Sequence, residues 1–184
     1  MRSCVKPILY ISTIFTIALF CLPQNAQAEF FKWDEGMWRV ELAVSGGIHS
    51  GTKSRSGDFL YTSFIEYEVP VHPRATLGLR LLPMFIYDSP TNVWGGGVGL
   101  SARFYEHKDI YEGLYVETWG HAIYHEHQIS GNSSNFNFLI GAGLGYQFPN
   151  NWHAIIRYDH ISNAGIGNRN AGVNAIGLGI GYRF

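Results

Sequence analysis

His160 and Ser162 stand two residues apart at the end of an alternating run, and residues 163–174 after them are rich in Gly and Asn. On a β-strand, residues i and i+2 point to the same side at a separation of about 6.6 Å, so the pair would share one surface. An imidazole beside a hydroxyl is the pairing from which a general base and a nucleophile are made. The same side of the run carries Ile156 and Tyr158, while His153, Arg157 and Asp159 take the other. The reactive-looking pair therefore belongs to the apolar side, and Asp159 points away from it. Taken alone, a His and a Ser near a strand end are ordinary interfacial polar residues, and Asn163, Gly165, Asn170 and Gly172 are ordinary turn formers.

Which environment that apolar side meets depends on where the chain goes. Arg2 and Lys6 precede an apolar run over residues 8–22, and Ala26-Gln27-Ala28 follows it. A positive stretch, a short apolar core and an A-x-A site read as a cleaved signal peptide over residues 1–28, leaving a mature domain of 29–184. A membrane anchor would want a longer apolar run. Both cysteines, Cys4 and Cys21, fall in the removed piece, and bulky Phe20 argues against lipid attachment at Cys21. An exported chain without cysteine has no disulfide scaffold and no catalytic thiol. The mature part carries eleven Lys and Arg against fourteen Asp and Glu, a net charge of −3, so no basic field suggests nucleic acid.

Hydrophobicity alternates with a period of two almost throughout. Trp38, Val40, Leu42 and Val44 open the pattern, followed by Phe59, Tyr61, Ile65, Tyr67 and Val69, then by Leu77, Leu79 and Leu81. Trp94, Val98, Leu100, Ala102 and Phe104 form the fourth run, and residues 114–123 form a fifth whose facing is ambiguous. Phe136, Phe138, Ile140, Leu144, Tyr146 and Phe148 form the sixth, the run ending in Ser162 the seventh, and Ile176, Leu178, Ile180, Tyr182 and Phe184 the eighth. The opposite faces collect Arg39, Glu41, Glu66, Glu68, Arg80, Arg103, Arg157, Asp159 and Arg183 among many glycines.

Eight strands of roughly nine to eleven residues are the smallest usual outer-membrane barrel, and a sheet in lipid must close because an open edge leaves unpaired backbone groups. The expected fold is thus all-β, an eight-stranded antiparallel up-and-down transmembrane β-barrel. Its interior is just wide enough for side chains, so the mixed charges would pair there as a plug, with the glycines leaving them room. Tight connections at 71–75, 106–113 and 149–151 would face the periplasm, and the mostly longer 46–58, 88–92, 125–135 and 163–173 the outside. Tyr146, Phe148, Trp152, Tyr182 and Phe184 would gather as an aromatic girdle at the periplasmic rim. A soluble lipocalin-like barrel would instead put apolar side chains inside and charges outside, which the broad aromatic outer faces and the terminal Phe184 disfavour.

The string His160-Ile161-Ser162-Asn163-Ala164-Gly165, with Asn170, Gly172 and Asn174 before a last strand ending in Phe184, resembles the PagL-type outer-membrane lipid A 3-O-deacylases. The likeness is architectural over the mature chain and reaches motif level from about Phe136 onward. It implies a serine esterase on the lipid-facing outside of the barrel, cutting the ester-linked acyl chain at position 3 of a lipid A glucosamine. By the same resemblance Ser162 is the nucleophile and His160 the base. Asn163 and Gly165 supply oxyanion donors, Asn170 is the loop asparagine, and Phe138 is the aromatic beside the site. Where the family pattern carries a glutamate fourteen positions after the histidine, this chain has Asn174. An asparagine can orient an imidazole if its carbonyl oxygen faces the ring N–H. If its amide faces the ring, the wrong tautomer is held.

The implied partners are lipid A of lipopolysaccharide, the outer membrane of a Gram-negative bacterium, and the barrel-assembly machinery, whose C-terminal aromatic signal Tyr182-Arg183-Phe184 resembles. A homodimer stays open. No cofactor or metal is called for: His121, His125 and His127 have ligand-like spacing but fit a polar loop, and Gly95–Gly97 and 141–145 fail the dinucleotide-binding pattern. The alternative function is a catalytically inactive small barrel with a surface-interaction or membrane-integrity role.

Overall fold

The computed structural model describes residues 31–50 and 53–184; the expected signal peptide and both cysteines lie outside the described residues. A short 3-10 turn, Trp33–Glu35, leads into eight strands: β1 Met37–Ile48, β2 Phe59–His72, β3 Ala75–Asp88, β4 Val93–Tyr105, β5 Gly113–His125, β6 Phe136–Gln147, β7 Trp152–Ser162 and β8 Val173–Arg183. Each pairs antiparallel with its sequence neighbour, and β8 returns to β1 in a register running from Arg39↔Arg183 to Ile48↔Asn174. The sheet is therefore a closed up-and-down barrel, with no edge whose N–H and C=O groups would need another partner.

Facing follows the alternation and is inverted relative to a water-soluble protein. Leu100 is 65% exposed and Leu178 61%, whereas Arg103 is fully buried and Glu66 only 1% exposed. Inside, Arg103 reaches Glu66 at 2.5 Å and Glu117 at 2.9 Å, Arg80 bridges the same two carboxylates, and Arg39 holds Glu68 at 2.8 Å. Further along the lumen Arg157 joins Glu41 at 2.8 Å to Asp159 at 2.9 Å. Phe64 lies between the guanidinium groups of Arg80 and Arg157, 4.8 and 4.9 Å from its ring centre. Paired charges and stacked rings thus fill the interior that the sequence left as a plugged lumen.

The facing of β5, ambiguous in the sequence, is resolved by its neighbours. Tyr115, Glu117, Trp119, His121 and Ile123 point inward, and Leu114, Val116, Thr118, Gly120 and Ala122 outward. Opposite these rings the inward side of β6 carries glycine at 141, 143 and 145: a Cβ at Gly145 would stand 2.3 Å from the Tyr115 ring, and one at Gly141 2.5 Å from that of Trp119. Those rings occupy the slots the missing side chains leave.

The two ends differ. At one, β2 and β3 join through residues 73 and 74 alone, and β6 and β7 through 148–151. Tyr146–Phe148, Trp152–Tyr182 and Tyr182–Phe184 make ring contacts of 4.9, 5.4 and 5.1 Å there, which is the expected girdle. At the other end, the connections described by residues 49–50 and 53–58, 126–135 and 163–172 contact one another, and the end of β7 lies beneath them.

Candidate active site

Strand pairing brings the sequence-predicted residues into one patch. Ser162 on β7 is the direct cross-strand partner of Phe138 on β6, and His160 that of Ile140. On the other flank His160 faces Asn174 of β8, whose own neighbour across the barrel seam is Ile48 of β1. Directly opposed residues bring their Cβ atoms within about 4.5–5.5 Å, close enough for short polar side chains to bond. His160, Ser162 and Asn174 are all half-buried, on the outer face and bordered by the exposed apolar side chains Ile140, Tyr158 and Ile176.

The His160–Asn174 pair is made. The Nδ1–H of His160 donates to Asn174 Oδ1 at 2.6 Å, and Asn174 Nδ2 donates to the backbone carbonyl of His49 at 3.2 Å. The second bond fixes the first: with its amide turned to a carbonyl, Asn174 has only its oxygen to offer the ring. An acceptor at Nδ1 keeps the proton there and leaves Nε2 as the basic nitrogen. Among the described residues no hydrogen bond joins the Ser162 hydroxyl to the imidazole, although the two side chains share the face. Such bonds often tighten only around substrate. Asp159 lies inside, held by Arg157, Ser45 and Trp119.

The connection after Ser162 is built on Asn163, which is fully buried. Its Nδ2 donates to Asn132 Oδ1 and to the Arg169 carbonyl, both at 2.9 Å, and its Oδ1 accepts the N–H of Gly165 at 2.9 Å. Its own N–H donates to Asn170 Oδ1 at 3.2 Å. Ala164 and Gly165 both have positive φ, 51° and 83°, so the chain turns sharply just beyond the serine. The backbone N–H groups of Asn163 and Gly165, the residues expected to supply oxyanion donors, are thus at the turn, each engaged by a neutral amide oxygen.

Three contributors carried no signal in the sequence. The His49 carbonyl is backbone, Asn132 is one of several loop asparagines, and Arg55 reads as a solvated loop cation until the fold brings it under residue 172. The histidine series is dispersed: His121 packs on Phe64 in the lumen at 5.3 Å, and the ring nitrogens of His125 are taken by the His127 carbonyl and by Asn137. Among the described residues no group of three His, Cys, Asp or Glu side chains stands close enough to hold a metal ion.

A sequence model of the lipid A 3-O-deacylase (PagL) family matches residues 65–183. No curated protein sequence matches significantly. Among solved structures, the outer membrane enzyme PagL aligns with 78% of this chain and 98% of its own, at 17% identity and a TM-score of 0.61. The N-terminal β-barrel domain of OprF from Pseudomonas aeruginosa aligns with 80% of this chain and 97% of its own, at 20% identity and a TM-score of 0.53. For Ail, the attachment invasion locus protein of Yersinia pestis, crystallised with a heparin analogue, the shares are 81% and 98%, at 14% identity and a TM-score of 0.50. At these identities the structural likenesses speak for the barrel alone.

Proposed function

This chain belongs to the PagL family of lipid A 3-O-deacylases, and we propose that in the outer membrane it acts as a serine esterase on the ester-linked 3-O-acyl chain of lipid A. The observation that carries this reading is the oriented imidazole: Nδ1–H on Asn174 Oδ1 at 2.6 Å, on the lipid-facing surface, two residues from a serine. Nε2 of His160 takes the Ser162 proton as Oγ attacks the ester carbonyl. The N–H groups of Asn163 and Gly165 receive the negative charge that develops on the carbonyl oxygen. Both are bonded to amide oxygens in the resting site, and an anionic acceptor outcompetes a neutral one because charge-assisted bonds are roughly twice as strong. The protonated imidazole returns its proton to the departing sugar oxygen, leaving an acyl-serine. Water, deprotonated by the same nitrogen, then releases the fatty acid and restores Ser162.

Phe138, paired with Ser162 across the sheet, lies where it can pack on the acyl chain, and Asn170 holds the Asn163 peptide. The reading includes export with removal of residues 1–28, assembly through the terminal aromatic signal, and loops 46–58, 88–92, 125–135 and 163–173 on the outside of the cell. Mass spectrometry of lipid A from cells with and without the protein tests it. Loss of one 3-linked acyl chain with wild type, absent with Ser162→Ala, is expected. Identical lipid A in both would leave the second reading, a barrel without chemistry, which the engaged Asn163 and Gly165 N–H groups favour.

A further inference from the structure

Arg55 lies in the connection between β1 and β2, yet it is only 1% exposed. Its Nη2 donates to the carbonyl of Gly172 at 2.5 Å and to that of Ser130 at 3.0 Å, and its Nε also reaches Gly172 at 3.2 Å. The Asp58 carboxylate stands off at 3.9 Å. A guanidinium spent on two carbonyls fixes both, since bonds from a charged donor are short and strong and the fork is rigid.

The carbonyl it holds belongs to a residue close to the imidazole. Gly172 has φ +64°, and a Cβ built on it would stand 3.4 Å from His160 Cε1 and 3.2 Å from Ser50 Oγ. Ser50 in turn donates to the Ala171 carbonyl at 3.2 Å. Two residues on, Asn174 accepts the His160 Nδ1–H. Residues 171–174 are therefore held at the Ala171 and Gly172 carbonyls by Ser50 and Arg55, and they bond the ring through Asn174.

We propose that Arg55 is a positioning residue for His160: by holding the Gly172 carbonyl it keeps the 172–174 backbone, and with it Asn174 Oδ1, where that oxygen takes the imidazole Nδ1–H and leaves Nε2 as the basic nitrogen. The kinetic consequence rests on the esterase reading; the orientation does not. A lysine would not substitute, because one ammonium cannot serve the Gly172 and Ser130 carbonyls with the same planar fork.

The test uses the full mature chain folded in detergent micelles. Nitrogen-15 NMR of the histidine rings, with the His160 signals assigned by their loss in His160→Asn, is combined with kcat and KM on detergent-dispersed lipid A. Wild type is expected to show one tautomer at His160, protonated at Nδ1. Arg55→Ala is expected to show averaged ring signals and a kcat about a hundredfold lower at nearly unchanged KM, the scale of loss from an ångström of misplacement. Added guanidinium should recover part of that rate in Arg55→Ala and none in wild type. Wild-type ring signals and kcat in Arg55→Ala would overturn the proposal. If Arg55→Ala does not assemble, Arg55→Lys carries the same readouts, and wild-type values there overturn it equally. An inactive wild type would sink the esterase reading while leaving the ring signals to decide the role of Arg55.

Discussion

Asn174 shows how much one amide can decide. Its oxygen meets His160 and its nitrogen meets the His49 carbonyl, so the residue that stands where the family pattern has a carboxylate is held in the one orientation that favours a basic Nε2. Replacing it with Glu sets two effects against each other. A carboxylate acting on the developing imidazolium contributes about 1.5–3 kcal/mol, while the lost bond to His49 is worth about 0.5–1.5 kcal/mol. Because His49 is exposed, water can take over its carbonyl. Asn174→Glu is therefore expected to keep or raise the deacylation rate, and Asn174→Ala to leave weak activity; a full rate in Asn174→Ala would reduce the site to a Ser-His dyad. Ser162→Ala and His160→Asn should each lower release of the acyl chain by about a thousandfold or more, measured on the purified protein.

At the scale of strands, β5 and β6 illustrate matched faces. Tyr115 and Trp119 point inward because Gly145 and Gly141 leave space opposite them, and bulk at either glycine has nowhere to go. Gly145→Ala is expected to cost about 1–3 kcal/mol as overpacking, and Tyr115→Val should relieve much of that loss in the double variant. Urea unfolding in micelles measures both; additive losses would show that the ring and the glycine are not coupled. On the opposite face, Leu178→Arg should destabilise assembly by about 2–4 kcal/mol near the bilayer midplane, read as loss of the heat-modifiable folded band on gels. A change at Gly179 acts instead on the lumen, where a Cβ would stand 2.8 Å from Ile155 and 3.0 Å from Glu41.

For the molecule as a whole, the lumen is a charge-balanced interior. Arg39, Arg80, Arg103, Arg157 and Arg183 are buried with Glu41, Glu66, Glu68, Glu117 and Asp159, and Glu66 receives both Arg80 and Arg103. Removing one partner from such a set leaves an uncompensated charge inside, at about 3–5 kcal/mol. Glu66→Ala is expected to lower the urea midpoint of the folded barrel accordingly, and added salt should not mask the loss because buried pairs are little screened. A midpoint equal to wild type would mean that the remaining carboxylates and internal water neutralise Arg80 and Arg103 unaided.

The alternation of single residues determined most of this architecture. Period-two runs gave the number of strands, the lipid and lumen faces, and the common side shared by Phe138, His160, Ser162 and Asn174, because side-chain direction along a strand is a local property of the backbone. The facing of β5 was not legible, since both its sides carry large or neutral residues and only the glycines of β6 choose between them. The bond from Asn174 to His49 spans 125 residues of sequence, and those from Arg55 to Gly172 span 117. Such contacts exist because closure of β8 onto β1 brings the two ends of the chain side by side. No periodicity within either end encodes which carbonyl a distant amide or guanidinium will meet, so the orientation of the imidazole was decided by the closed barrel.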